Sequence, residues 1–210
     1  RGNTAGRFPA KREQLFAYQL VILGDVSPGL FSKEELLWLR HFVQYNGGGL
    51  ICIDGRMEGH VKFTATVLRD LYPVRFMGNN ALSSMDLRLR FRSAGGGQAP
   101  LMLADNTAAN LKIWNDLPAP RWAAPTRALP GAETLLEIVD GKTVVPGVVF
   151  RRFGGGRVLY SAFDESWRWR YNVGDLHHQR YWNQVAKWIM EPPFAVQDAY
   201  IALDSGPTTY

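Results

Sequence analysis

Apolar positions along this chain change period repeatedly, and each change marks an element. YQLVILGD (18–25) is a short apolar run with β-branched residues that closes on Gly24 and Asp25, the pattern of a buried parallel strand. Ser32 then predicts a helix start: Glu35 stands three residues on as a capping-box partner, the first turn is acidic, and Leu36, Leu39 and Val43 share one face. Asn46 and Gly47–Gly49 stop that helix, and LICID follows as a second buried strand. Strand, helix and strand at this spacing predict a parallel pair with a right-handed crossover. In such sheets ligands bind at the carboxyl ends of the strands, here at Asp25 and at Asp54, Gly55 and Arg56.

The middle of the chain alternates faster. HVKFTATVLRDLYP predicts a helix with Val61, Ala65 and Leu68 inward, ended by Pro73. VRFM, SMDLRLRFR and APLML predict strands separated by Gly78–Asn80 and Gly95–Gly97, followed by a short helix over 106–115 with Leu111 and Trp114 toward the core. TLLEIVD and TVVPGVVFRRF form a hairpin on Asp140 and Gly141, and Pro146 predicts an edge or a bulge in its strand. After Gly154–Gly156, RVLYSAF is one more strand. DESWRWRYNVGD then leads into a helix N-capped by Asp175 that runs to about Met190, with Tyr181, Val185, Trp188 and Ile189 at helical spacing. The pattern predicts an α/β domain: a flavodoxin-like three-layer sandwich with a mostly parallel sheet and additional β-hairpin strands in the middle.

Composition narrows the function classes. With 210 residues and 46% apolar content, the chain buries roughly 70% of its unfolded surface as one domain. Its single cysteine excludes an internal disulfide and a multi-cysteine zinc site. No apolar run approaches the roughly 20 residues that span a bilayer, so direct membrane insertion by this segment is not expected. The net charge of +5 invites nucleic acid as a partner, but the basic residues are scattered, no recognition motif accompanies them, and Arg88, Arg90 and Arg92 alternate as the solvent face of a strand. No nucleic-acid partner is expected. The opening at Arg1 and the strand-like tail DAYIALDSGPTTY suggest a piece of a longer protein, divided into a domain over 1–190 and, over 191–210, a linker and the start of a β-rich segment.

Two blocks carry a family resemblance. ILGD, a helix ending in FV, GGGL and a strand ending in DG form the first; GRVLYSAFDESWRWRY, GD and HHQRYWNQVAKWIM form the second, with an Asp-x-x-Trp-Arg-Trp-Arg signature. They span roughly the first and last quarters of the chain. The chain resembles the class I glutamine amidotransferase-like domains of large bacterial, membrane-associated proteins that often carry a von Willebrand factor A domain. The resemblance implies the amidotransferase fold, and as partners the other domains of the same parent or a separate protein.

It also implies a catalytic apparatus whose residues are only partly here. Such enzymes use a cysteine thiolate at a sharp strand-to-helix turn within G-x-C-x-G and a late histidine held by a carboxylate, commonly His-Pro-Glu. Cys52 sits inside LICIDGR, flanked by Ile51 and Ile53, where a thiol is a core residue of high pKa. Glu165 matches the carboxylate position, while Phe163 occupies the histidine position. Cys52 and Glu165 are therefore the weak catalytic candidates.

The remaining histidines, His41, His60, His177 and His178, lack the spacing of a zinc helix, so no metal and no cofactor are expected. The densest chemistry lies in Asp164, Trp167, Arg168, Trp169, Arg170 and Asp175, which suits either a clasp pinning the last helix or a binding platform. The expectation is a clasp in which Asp164 accepts hydrogen bonds and a tryptophan lies beneath an arginine. The function expected is a non-catalytic binding or assembly module. The alternatives are an active cysteine-dependent amidohydrolase or amidotransferase using Cys52, or a nucleophile such as Ser161, and glycan or anionic-polymer binding by the Trp/Arg loop.

Overall fold

The computed structural model describes residues 8–78, 81–91, 99–170, 175–191, 196–197 and 202–203. The chain runs through α1 (Arg12–Phe16), β1 (Leu20–Leu23), α2 (Lys33–Gln44), β2 (Gly49–Ile53), α3 (Gly59–Lys62), β3 (Val74–Phe76), β4 (Leu82–Ser83) and β5 (Arg88–Phe91). It continues through α4 (Thr107–Asp116), β6 (Trp122–Ala123), β7 (Thr126–Ala128), β8 (Glu133–Asp140), β9 (Thr143–Phe153), β10 (Gly156–Ser161), α5 (Leu176–Met190), β11 (Val196–Gln197) and β12 (Ala202–Leu203).

The capping box forms as the sequence requires. The Glu35 amide donates to Ser32 Oγ at 3.1 Å and the Ser32 amide donates to the Glu35 carboxylate at 2.6 Å. Leu36, Leu39 and Val43 are buried, joined by Phe42. The Phe42 ring lies directly on Gly48, where any Cβ would sit within 2.5 Å of it, so only glycine allows the helix to turn back into β2.

Six strands form one mixed sheet in the order β1-β2-β10-β9-β8-β5. β1, β2 and β10 are parallel, while β9, β8 and β5 continue the sheet as antiparallel hairpins. The two ends of the chain thus meet at β2 and β10, and the mid-chain hairpins extend that sheet. Alternate residues feed two cores. Leu50, Cys52, Val158 and Tyr160 face α2, whereas Ile51 and Leu159 face Trp114 and the Tyr181, Val185 and Ile189 stripe of α5. Helices covering both faces explain why these strands are apolar without alternation.

Several local expectations change. β1 is an edge strand with Ile22 half exposed, because nothing pairs with its outer side among the described residues. The segment after His60 breaks into α3 and 3-10 turns over Phe63–Ala65 and Arg69–Leu71, with Phe63, Leu68 and Leu71 buried and Ala65 exposed. Thr64 and Thr66 hydroxyls donate to the carbonyls of Val61 and Phe63, competing with a continuous helix. APLML contributes a 3-10 turn over Ala99–Leu101, not a strand, and α4 buries Trp114 while Leu111 stays exposed. Pro146 lies beside a register shift between β8 and β9, the bulge its ring calls for. Asp175 precedes α5, but its side chain makes no cap bond and pairs with Arg170 instead. Arg92, Asn79, Asn80 and Gly95–Gly97 lie outside the described residues, as does most of 191–210 beyond the β11–β12 pair. Among the described residues no helix is long and apolar enough to cross a membrane.

Candidate functional site

The parallel strands converge at their carboxyl ends, and there the structure brings together Asp25, Asp54, Arg56, Asp164 and Glu165. Asp25 follows β1 and builds the turn after β2: its carboxylate accepts the Met57 amide at 2.6 Å and the Gly59 amide at 2.7 Å. Between them Glu58 is held left-handed at φ 52°, a strained setting for a residue with a side chain. Gly55 has no room for a Cβ, which would lie 2.7 Å from an Asp25 oxygen and 2.9 Å from an Asp164 oxygen. Two carboxyl groups therefore crowd one glycine.

Asp54 is the buried member. It is 1% exposed, and accepts the Tyr160 hydroxyl at 2.7 Å and the Gly55 amide at 3.1 Å. Burial pushes its pKa up to about 7 against the relief of the Tyr160 hydrogen bond, and the nearby Asp25 charge adds to the rise. Asp164 is also raised, first by partial burial and then by Glu165 and Asp25, with Arg56 opposing. Among the described residues no group of three or more histidine, cysteine, aspartate or glutamate side chains is arranged to hold a metal.

The Trp/Arg loop folds as a 3-10 helix over Glu165–Arg170, and its carboxylate anchor is Glu165, not Asp164. Glu165 accepts the Arg121 amide, meets the Arg56 guanidinium at 3.3 Å and lies 3.7 Å from Arg168. Asp164 is exposed and, among the described residues, its carboxylate takes no hydrogen bond from the Trp/Arg side chains, which corrects its expected role. Arg168 donates to the Ala119 carbonyl at 2.7 Å and the Trp169 indole to the Pro118 carbonyl at 3.1 Å, so the loop clasps the Pro-rich segment. Trp169 is buried among Trp114, Tyr181 and Phe163 rather than beneath an arginine, and Trp167 is 48% exposed. Asp175 and Arg170 pair at the start of α5. Glu165→Gln is expected to lower stability by about 1–3 kcal/mol, since two guanidinium groups lose their anionic partner and one of the two acceptor oxygens becomes a donor facing them. Asp164→Ala should change it by less than about 0.5 kcal/mol, as for an exposed position. Urea melts of both variants check this, and equal losses would return the anchor to Asp164.

Cys52 lies in mid-strand, 1% exposed, with its side chain against the Tyr72 hydroxyl; burial pushes its pKa up to about 12. Tyr72 in turn meets His60 Nδ1 at 2.8 Å, and His60 Nε2 lies 2.9 Å and 3.0 Å from the carbonyls of Gly24 and Ile53. Two carbonyls on Nε2 require it to carry the proton, so Nδ1 accepts from Tyr72. Burial lowers the His60 pKa, keeping it neutral. His177 and His178 ride on α5, across the sheet from the Cys52 side chain. Ser161 is buried and donates to the Phe163 carbonyl at 2.7 Å. Tyr72, Tyr160, His60 and Arg121 escape a reading by motif, because their partners come from segments up to 106 residues distant.

No protein-family model matches the chain, and neither does any curated protein. Its fold is similar to two solved cytoplasmic proteins from Salmonella typhimurium. One has a TM-score of 0.68 at 18% identity, covering 87% of this chain and 76% of that one. The other has a TM-score of 0.61 at 17% identity with the same coverage. A beta-galactosidase from Bacillus circulans sp. alkalophilus aligns with 81% of this chain over 22% of its own length, with a TM-score of 0.51 and 16% identity. At these identities the likeness concerns the α/β fold alone.

Proposed function

We propose that this chain is a non-catalytic binding or assembly module, a flavodoxin-like member of the class I glutamine amidotransferase-like domains whose catalytic pair has decayed. Its partners on this reading are other domains of a larger membrane-associated bacterial protein or a separate protein. The observation that carries it is the state of Cys52. A nucleophilic thiol must be exposed, beside a base and of lowered pKa. Cys52 is sealed in β2, is raised to about 12, and reaches an imidazole only through Tyr72. The late strand offers buried Phe163 where a histidine would stand.

The binding face on this reading is the carboxyl end of β1, β2 and β10, where Arg56, Asp164 and Met57 are exposed beside the fixed Asp25 turn. Glutamine incubated with the folded protein is expected to release no ammonia above the rate of the Cys52→Ala variant. The native thiol should react with an aromatic disulfide reagent only at the rate of unfolding, so that labelling accelerates with urea. Cysteine-dependent ammonia release, or rapid labelling without denaturant, would replace this reading with the active amidohydrolase.

A further inference from the structure

A groove on the face of the sheet that carries α2 has no part in the site above. It opens between the α3 segment, β3, the residue after β7 and β9, encloses about 610 Å³, and is lined by Arg69, Arg75 and Arg151 over a wall that includes Phe76 and Leu129. That volume suits a small organic ligand. Its single acidic lining residue, Asp70, is 62% exposed and already engaged by Arg40 at 3.5 Å. Three arginines thus line the groove against one carboxylate, which a fourth, Arg40, engages.

The arginines are poorly explained by folding. Arg75 stands directly opposite Arg127 in the antiparallel β3–β7 pair, and like charges at that register destabilise a sheet. Among the described residues neither Arg69 nor Arg75 has a carboxylate partner. Arg151 is held in place, donating to the Tyr72 carbonyl at 3.2 Å with its guanidinium 5.4 Å from the Phe153 ring centre. One of its five N–H donors is used there, which leaves the rest of the planar fork for an oxyanion.

We propose that this groove binds a small organic phosphate, with the phosphate held by Arg69, Arg75 and Arg151 and the apolar body against Phe76 and Leu129. Arginine forks match phosphate oxygens two at a time, and a dianion held by Arg75 offsets the repulsion that Arg127 imposes on that guanidinium across the strand pair. No bond is made or broken, so the site is independent of Cys52 and stands or falls separately from the amidotransferase-like reading.

The test is calorimetric titration of the whole chain with 1-naphthyl phosphate and, separately, with inorganic phosphate at low salt. Naphthyl phosphate is expected to bind saturably and more tightly than inorganic phosphate. Arg75→Ala and Arg69→Ala, both at exposed positions and each checked by circular dichroism for the parental fold, should each weaken it about tenfold or more. Arg88→Ala, on the distant solvent face of β5, should leave it unchanged. Absence of saturable binding at millimolar concentration, equal weakening by Arg88→Ala, or equal affinity for the two phosphates would each overturn the proposal.

Discussion

Trp169→Ala is expected to cost about 3–5 kcal/mol of stability, the range for removing a large aromatic side chain from a packed core. The ring is 1% exposed and stands edge-on to Trp114 at 5.3 Å and to Tyr181 at 5.1 Å between centroids, with Phe163 at 6.4 Å. It therefore packs against three elements at once, the strand end after β10, α4 and α5, whose Trp114 and Tyr181 rings also meet each other at 6.0 Å. The surrounding rings are large and held by the sheet, so the cavity cannot close by local collapse. Its indole N–H also holds the Pro118 carbonyl, so Trp169→Phe should recover the packing but lose about 1 kcal/mol for the orphaned acceptor. Thermal and urea melts measure both. A loss below about 1 kcal/mol for the alanine variant would mean that the loop is peripheral and not a clasp.

Asp54→Asn should remove most of the stability that this protein loses as pH rises from about 4 to 7. The folded-state pKa of Asp54 is pushed up to about 7, above its ordinary value of 3.8. A raised carboxyl binds its proton more tightly in the folded than in the unfolded chain, so its contribution is most favourable below pH 4. That contribution declines as pH rises through the window and is constant above about 7. The difference is on the order of 2–4 kcal/mol. Asparagine is neutral at every pH, and the Tyr160 hydroxyl can turn to accept from its amide. The variant is expected to be more stable than the parent at pH 8 and flatter across pH 4 to 8, as measured by urea midpoints. A variant that keeps the parental slope would assign the dependence to Asp164, also raised.

These two residues differ in how far they can be read from the chain alone. The Trp/Arg cluster announces itself by composition, since two indoles and two guanidinium groups between a strand and a helix need order. Which carboxylate orders it does not follow from composition. Asp164 and Glu165 are adjacent, and only the turn at the end of β10 decides that Glu165 points to Arg121 and Arg168. Asp54 is visible as a strand-end acid, yet its raised pKa comes from burial, with Asp25 adding to the rise and the Tyr160 hydrogen bond opposing it, and the sheet brings both neighbours beside it from strands on either side.

The sequence by itself determined the elements whose causes are local. Ser32 and Glu35 cap α2, Gly47–Gly49 end it, Gly141 turns the β8–β9 hairpin, and unbroken apolar runs mark β2 and β10 as strands covered on both faces. Tertiary structure alone decided whatever depends on long-range pairing. It made β1 an edge and added the hairpins to the parallel sheet. It also closed Cys52, Tyr72 and His60 into one buried chain and gathered Arg69, Arg75 and Arg151 around a groove. The reason is that capping and periodicity act over a few residues, whereas burial, desolvation and charge proximity are properties of neighbours that the chain supplies from far along its length.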